Sequence, residues 1–283
     1  MSHFDRRDRL IAGVAFAAVA AATLTTALAA PANTSPPDFQ SGQAAWLHPP
    51  GGEFPAVPGS PVPMRQDPAH PFVGNNTGGQ PTYRIGDVGN PNLKPWAKAA
   101  MKKDNDEVLK GKIAFTARSS CLPGGVPQFL LFGGQPIFFI QTPDKVLMIY
   151  EGDHQVRHIY LNVPHSKNPK PSWYGESVGH YEGDTLVVDT IGFNDKTYVD
   201  NYRTPHTTQL HAVERFRMIN DGKSPEVKIW VEDPGAFNMP WTARSTWRRV
   251  KPGQLIEDYC EPNNDFYFGY DVAPLPIDNT PDF

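Results

Sequence analysis

The chain has 283 residues, 39% of them hydrophobic, and carries 26 Lys plus Arg against 30 Asp plus Glu for a formal charge of −4. Its 30 prolines and 24 glycines exclude a helical bundle or a succession of long βαβ units, because proline removes a backbone donor and breaks helices. No long run of either charge sign occurs, which argues against a nucleic-acid partner.

Arg6, Arg7 and Arg9 precede an apolar stretch from Leu10 to Ala22, and Ala27-Leu28-Ala29 supplies an A-x-A cleavage site. That order predicts a signal peptide over residues 1–29 and a periplasmic protein. Sec export is the simpler route. Arg6-Arg7 also suits a twin-arginine signal, although Arg9 stands where such signals usually carry an apolar residue. No later run reaches the ~18 apolar residues of a membrane span, so no membrane contact is expected beyond the leader.

Residues 30–94 read as an irregular proline-rich arm. Twelve prolines fall between Pro31 and Pro81, with turn signals such as Pro49-Pro50-Gly51-Gly52, and neither the helical nor the strand period is present. Residues 95–134 hold one helix and a connecting segment. Pro95 suits the first helical turn, Lys102 and Asp106 are four apart, and Gly111 is a natural stop, which predicts a helix over Pro95–Lys110.

From residue 135 to 270 the hydrophobic period is two. The expected strands are Ile137–Gln141, Val146–Glu151, Val156–Leu161, Ser177–Tyr181, Thr185–Ile191, Leu210–Met218, Glu226–Asp233, Trp241–Arg249 and Gln254–Cys260. Most gaps have hairpin length and turn chemistry, as in Glu182-Gly183-Asp184 and Asn220-Asp221-Gly222. The fold class is therefore all-β, an antiparallel up-and-down barrel of the lipocalin or calycin kind, with the arm and one short helix outside it. A sandwich is the alternative, since alternation does not say whether the sheet closes. Residues 271–283 form a tail. Two connections exceed hairpin length, Asn162–Glu176 and Asn194–Gln209, and both are rich in aromatic, His and Asn residues. They are the expected mouth of the barrel.

No nucleotide-binding loop, G-x-S-x-G elbow or H-E-x-x-H motif occurs, and the expectation is a site without cofactor or metal. Strand parity places Glu214 in the stripe Leu210, Ala212, Phe216, Met218, and Asp189 in the stripe Thr185, Val187, Ile191. A carboxylate among apolar neighbours must be paired, hydrogen-bonded or protonated. Asp189 and Glu214 are thus candidate acid/base groups; the bland alternative is a salt bridge to Arg157, Arg244 or Arg248. His206 and His211 bracket the entry to the Leu210 strand and complete the candidate catalytic set. Parity puts His211 on the face opposite Glu214, whereas His206, on the loop, is free to turn inward. Tyr150, Arg157, Asn194, Trp241 and Tyr259 are the candidate ligand-binding residues, suited to a small aromatic molecule. Cys121 and Cys260 are a candidate disulfide in an exported chain, two buried thiols being the alternative. A homo-oligomer is left open.

The run Gly179-His180-Tyr181-Glu182-Gly183-Asp184-Thr185-Leu186-Val187-Val188-Asp189-Thr190-Ile191-Gly192-Phe193-Asn194 resembles a widespread family of exported bacterial proteins, mostly without an assigned function. So do Pro205-His206 through His211, Glu214-Arg215-Phe216-Arg217, Pro240-Trp241-Thr242 and Glu257 through Glu261. The resemblance spans residues 121–263 and implies export rather than a particular chemistry. Members often open with Asp-Phe-Ser-Gly-x-Trp, similar to the first lipocalin strand; here Asp38-Phe39 is followed by Gln40-Ser41-Gly42, with Trp46 later. Small lipocalin-like barrels include cofactor-free phenolic acid decarboxylases, an analogy at the level of the fold alone. The resulting expectation is an exported, cofactor-independent enzyme of lyase or decarboxylase type acting on a phenolic compound. The alternative is a periplasmic carrier for a small apolar or aromatic ligand.

Overall fold

A computed structural model describes residues 35–42, 44–48, 53–73, 84–112, 121–131, 135–152 and 155–250. The expected leader, the expected strand Gln254–Cys260 with Tyr259 and Cys260, and the tail lie outside the described residues. Among those described, the chain forms ten strands and one α-helix. The strands are β1 (Ala45–Leu47), β2 (Ile137–Gln141), β3 (Lys145–Tyr150), β4 (Val156–Leu161), β5 (Glu176–Glu182), β6 (Thr185–Ile191), β7 (His211–Ile219), β8 (Ser224–Glu232), β9 (Trp241–Thr246) and β10 (Arg248–Val250). They make one sheet in the order β10-β1-β2-β3-β4-β5-β6-β7-β8-β9, a nearly closed barrel.

Alternation does the folding. On β4, Arg157, Ile159 and Leu161 are buried while Val156, His158 and Tyr160 are exposed. On β7, Ala212, Glu214 and Phe216 are buried. The inward residues converge on an aromatic cluster in which Phe39 lies 4.9 Å from Phe139, and Phe216 lies 5.9 Å from Trp247. Such tilted and edge-on pairs fill an interior densely.

Two features depart from a simple meander. The sheet is antiparallel except at β4 and β5, which pair in parallel with Ile159 opposite Ser177. Parallel neighbours cannot be joined by a hairpin, and the long connection 162–175 is the crossover that returns the chain to the same end. The second departure lies in the arm, where β1 pairs with both β2 and β10. Trp46 on β1 is buried, with its indole N–H donating to the Phe39 carbonyl at 2.8 Å.

The helix α1 (Pro95–Leu109) begins with Pro95 in its first turn and buries Ala97, Met101, Asn105 and Val108, the spacing of one helical face. Asn105 bonds the backbone of Gly86 in both directions, at 3.3 and 2.8 Å. The Trp96 indole donates to the Gly235 carbonyl at 2.6 Å. The helix thereby pins the segment after residue 84 and the turn after β8 to each other. No helix among the described residues is long and apolar enough to cross a membrane. Cys121 is disulfide-bonded; the chain's other cysteine, Cys260, lies outside the described residues.

Candidate functional site

The interior carboxylate is not free. Alternation on β7 turns Glu214 inward, where it is fully buried, and β4 brings Arg157 to meet it. Arg157 Nη1 donates to Glu214 Oε1 at 2.9 Å and Nη2 donates to Oε2. The remaining guanidinium donors reach Ser177 Oγ on β5 at 3.1 Å and Thr190 Oγ1 on β6 at 2.8 Å. The Arg157 guanidinium also lies over the Phe129 ring at 5.3 Å. Of the two readings open for Glu214, acid/base group or ion pair, the structure shows the ion pair with Arg157. Tyr150 is buried as well, its hydroxyl donating to Gln135 Oε1 at 3.0 Å.

Asp189 corrects the parity argument. It pairs in register with Val213, on the same side of the sheet as His211, while Glu214 pairs with Val188. The two carboxylates therefore sit on opposite faces. Strand β6 misleads because Thr185 through Val188 are all buried, so apolar company on this strand does not distinguish inside from outside.

On the outer face Asp189 nonetheless meets histidine. Its Oδ1 accepts from His211 Nε2 at 2.9 Å and from His165 Nε2 at 2.9 Å. His165 Nδ1 contacts Glu176 Oε1 at 3.0 Å. With carboxylates on both sides, both bonds form only when the ring carries two N–H groups. Ser166 adds its N–H and hydroxyl to the two oxygens of Glu176, at 2.7 and 2.6 Å. The hydrogen bond that His211 donates to Asp189 holds the His211 pKa above its ordinary value against the effect of burial. Burial works against ionisation of Asp189, but the bonds from His211 and His165 outweigh it and lower its pKa. Residue spacing did not single out His165, Ser166 or Glu176; the one signal was a His-bearing loop too long for a hairpin. Among the described residues no group of three or more His, Cys, Asp or Glu is arranged to hold a metal.

His206 is a structural histidine. It is buried, its Nδ1 lies 3.0 Å from the Thr207 carbonyl and its Nε2 lies 2.7 Å from the Thr197 hydroxyl. A carbonyl only accepts, so Nδ1 carries the proton and Nε2 accepts from Thr197. Burial lowers its pKa, which keeps the ring neutral. Asn194 likewise serves its loop, accepting from the Lys196 N–H at 3.1 Å. His206 and His211 thus belong to separate environments.

Among the described residues, the larger of two open spaces lies elsewhere, along the proline-rich arm; the other, about 280 Å³, lies by Pro37 and the Asn220–Gly222 turn. A cleft of about 450 Å³ runs between the arm at Gly59–Arg65, the turn at Asp87–Asn92, and Asn238-Met239. Its lips are apolar: Val62 is 51% and Met239 58% exposed. Inward it meets a pocket of about 10 Å³ that shares Val62, Pro63, Asn90 and Asn92 with the cleft and reaches Asp200, Thr204 and Trp241, room for about one water. Of the sequence candidates among the described residues, Trp241 is the one that borders this space. It packs against Phe54 and Phe237 at ring distances of 5.5 and 6.2 Å. Arg157, Glu214 and Tyr150 line neither the cleft nor its inner pocket.

Amides stitch the walls together. Asn90 Nδ2 donates to the Val62 carbonyl at 3.0 Å, and Asn238 Nδ2 to that of Pro91 at 2.9 Å. Asn92 both donates to the Met239 carbonyl and accepts from its N–H, each at 2.9 Å. Arg65 in the wall is tied to Glu53 at 2.7 Å, and the Tyr202 hydroxyl donates to the same carboxylate. At the inner end Asp200 is buried. Burial pushes its pKa up to about 6, although the Thr204 hydroxyl and two backbone N–H groups favour the ionised form. The cleft escaped the sequence reading because its three walls come from segments far apart in the chain that share no period.

Compared with known proteins, the chain matches no family model, no curated protein and no solved structure.

Proposed function

We propose that this is an exported binding protein that carries a small, largely apolar or aromatic molecule in the cleft beneath its proline-rich arm, with the barrel as scaffold. The observation that carries the reading is the cleft itself. Its volume of about 450 Å³ falls within the ~300–1,000 Å³ of small-molecule sites. Prolines hold their own φ, and the asparagine cross-links fix the walls before any ligand arrives, which reduces the ordering cost of binding. A catalytic reading needs Glu214 and Asp189 in one site, and they occupy opposite faces of the sheet. Binding is therefore the function the geometry supports best.

The test is a titration with the neutral fluorescent hydrocarbon diphenylhexatriene. Its emission is expected to rise on binding the wild-type chain and to stay low with a Val62→Asp/Met239→Asp variant of unchanged circular dichroism. Equal emission with both proteins, or none with the wild type, overturns the assignment.

A further inference from the structure

Two charged side chains line the large cleft, Arg65 and Asp87, and they are not equivalent. Arg65 is already neutralised, because its Nη1 lies 2.7 Å from Glu53 Oε2. Glu53 in turn accepts from the Gln66 N–H at 3.0 Å and from the Tyr202 hydroxyl. Despite its partial burial these bonds, with Arg65, hold its pKa below the ordinary value. Asp87 has no such partner. Its carboxylate accepts from the N–H of Gly89 at 2.8 Å, two residues on in the same turn, and no cation pairs with it among the described residues.

Counting Glu53 and Asp87 against Arg65 leaves one negative charge in excess at the wall. Any molecule that fills the cleft strips water from Asp87, and an ionised carboxylate that loses water without gaining a counter-charge is costly. A neutral ligand leaves that cost standing, an anionic one adds repulsion, and a cationic one offsets it. The apolar lips at Val62 and Met239 and the proline walls take up a hydrocarbon body. From this combination we infer that the cleft selects apolar molecules bearing a positive charge, alkyl or aryl amines as a class, with Asp87 as the residue that reads the charge. The inference rests on the binding function proposed above and specifies its ligand.

The test is isothermal titration of the full chain with three compounds of one shape: phenylbutylamine, cationic at neutral pH, phenylbutanol, neutral, and phenylbutyrate, anionic. The amine is expected to bind about fivefold tighter than the alcohol, the scale of one partly exposed charge pair, and the acid weakest. Added salt should erode the preference, a readout that requires no variant. Asp87→Asn keeps a side-chain oxygen for the Gly89 N–H, so the turn survives; it is expected to level amine and alcohol while alcohol binding persists. Equal binding of amine and alcohol to the wild type, or tightest binding of the acid, overturns the charge selection and leaves the cleft a ligand site. If none of the three binds and diphenylhexatriene does not either, the binding function itself fails and the inference with it.

Discussion

Arg157 on β4 and Glu214 on β7 face each other through the barrel interior, two nitrogens against two oxygens, with Ser177 of β5 and Thr190 of β6 bonded to the same guanidinium. Four consecutive strands of the sheet thus meet at one buried ion pair, and the parallel joint between β4 and β5 falls inside it.

Removing one member of such a pair strands the other in an apolar medium. Glu214→Gln is expected to lower unfolding free energy by about 3–5 kcal/mol, read from guanidinium chloride denaturation. The double variant Arg157→Met/Glu214→Leu should recover most of that loss, because nothing charged is then left unpaired. A single variant as stable as wild type would show that the pair carries no such weight.

His211 is expected to titrate above the ordinary histidine range in the folded protein, its proton held by Asp189. Because the folded value is the higher one, its stabilising contribution is complete below the unfolded value of about 6.5 and disappears as pH rises through the folded value. A proton NMR titration of the His211 ring resolves this, and Asp189→Asn should bring the midpoint down. An unchanged midpoint in that variant would detach His211 from Asp189.

Asp200 works with the same sign for a different reason. Its folded pKa is raised to about 6 by burial, so its contribution is complete below the ordinary aspartate value and is lost as pH climbs through about 6. Stability measured from about pH 4 to pH 7 should fall more steeply for wild type than for Asp200→Asn, by an amount on the order of 2–3 kcal/mol. Comparing the two curves cancels the opposite slopes of Asp189 and Glu176, whose pKa values are lowered. Parallel curves would contradict the assignment.

Gly175 ends the crossover with φ of +65°, and a Cβ built there would come 2.6 Å from the Ile191 carbonyl oxygen. Gly175→Ala is expected to cost about 1–3 kcal/mol or more through strain and clash together. Gly222 has φ of +77° with nothing within 4 Å, so Gly222→Ala carries only the left-handed penalty of about 1–2 kcal/mol. Thermal melts of the two should rank in that order; the reverse ranking would mean that the crossover yields to the added methyl and is not tightly packed at Gly175.

Much of the barrel is legible in residue patterns. Strands β2, β4 and β6 have the bounds that their apolar runs and the turn residues flanking them predict, Ile137–Gln141, Val156–Leu161 and Thr185–Ile191. The three-residue strand β1 is too short to show a period, and the parallel pairing leaves no trace but the length of its connection. At the sites, Arg157 is among the partners that the sequence offers Glu214, since a buried carboxylate must be paired, hydrogen-bonded or protonated. Asp189 was assigned to the wrong side because β6 is apolar on both. The cleft depends on Val62, Asn90 and Met239 meeting in space, a relation that local spacing does not encode.

Strands β9 and β10 are separated by Trp247 alone, whose backbone N–H donates to the Pro225 carbonyl at 2.8 Å; the first pairs with β8 and the second with β1. A ribosome delivers Ala45 long before Val250, so a nascent chain waits with its sheet unzipped along this seam. High contact order of this kind slows folding and leaves strand edges bare in the interim.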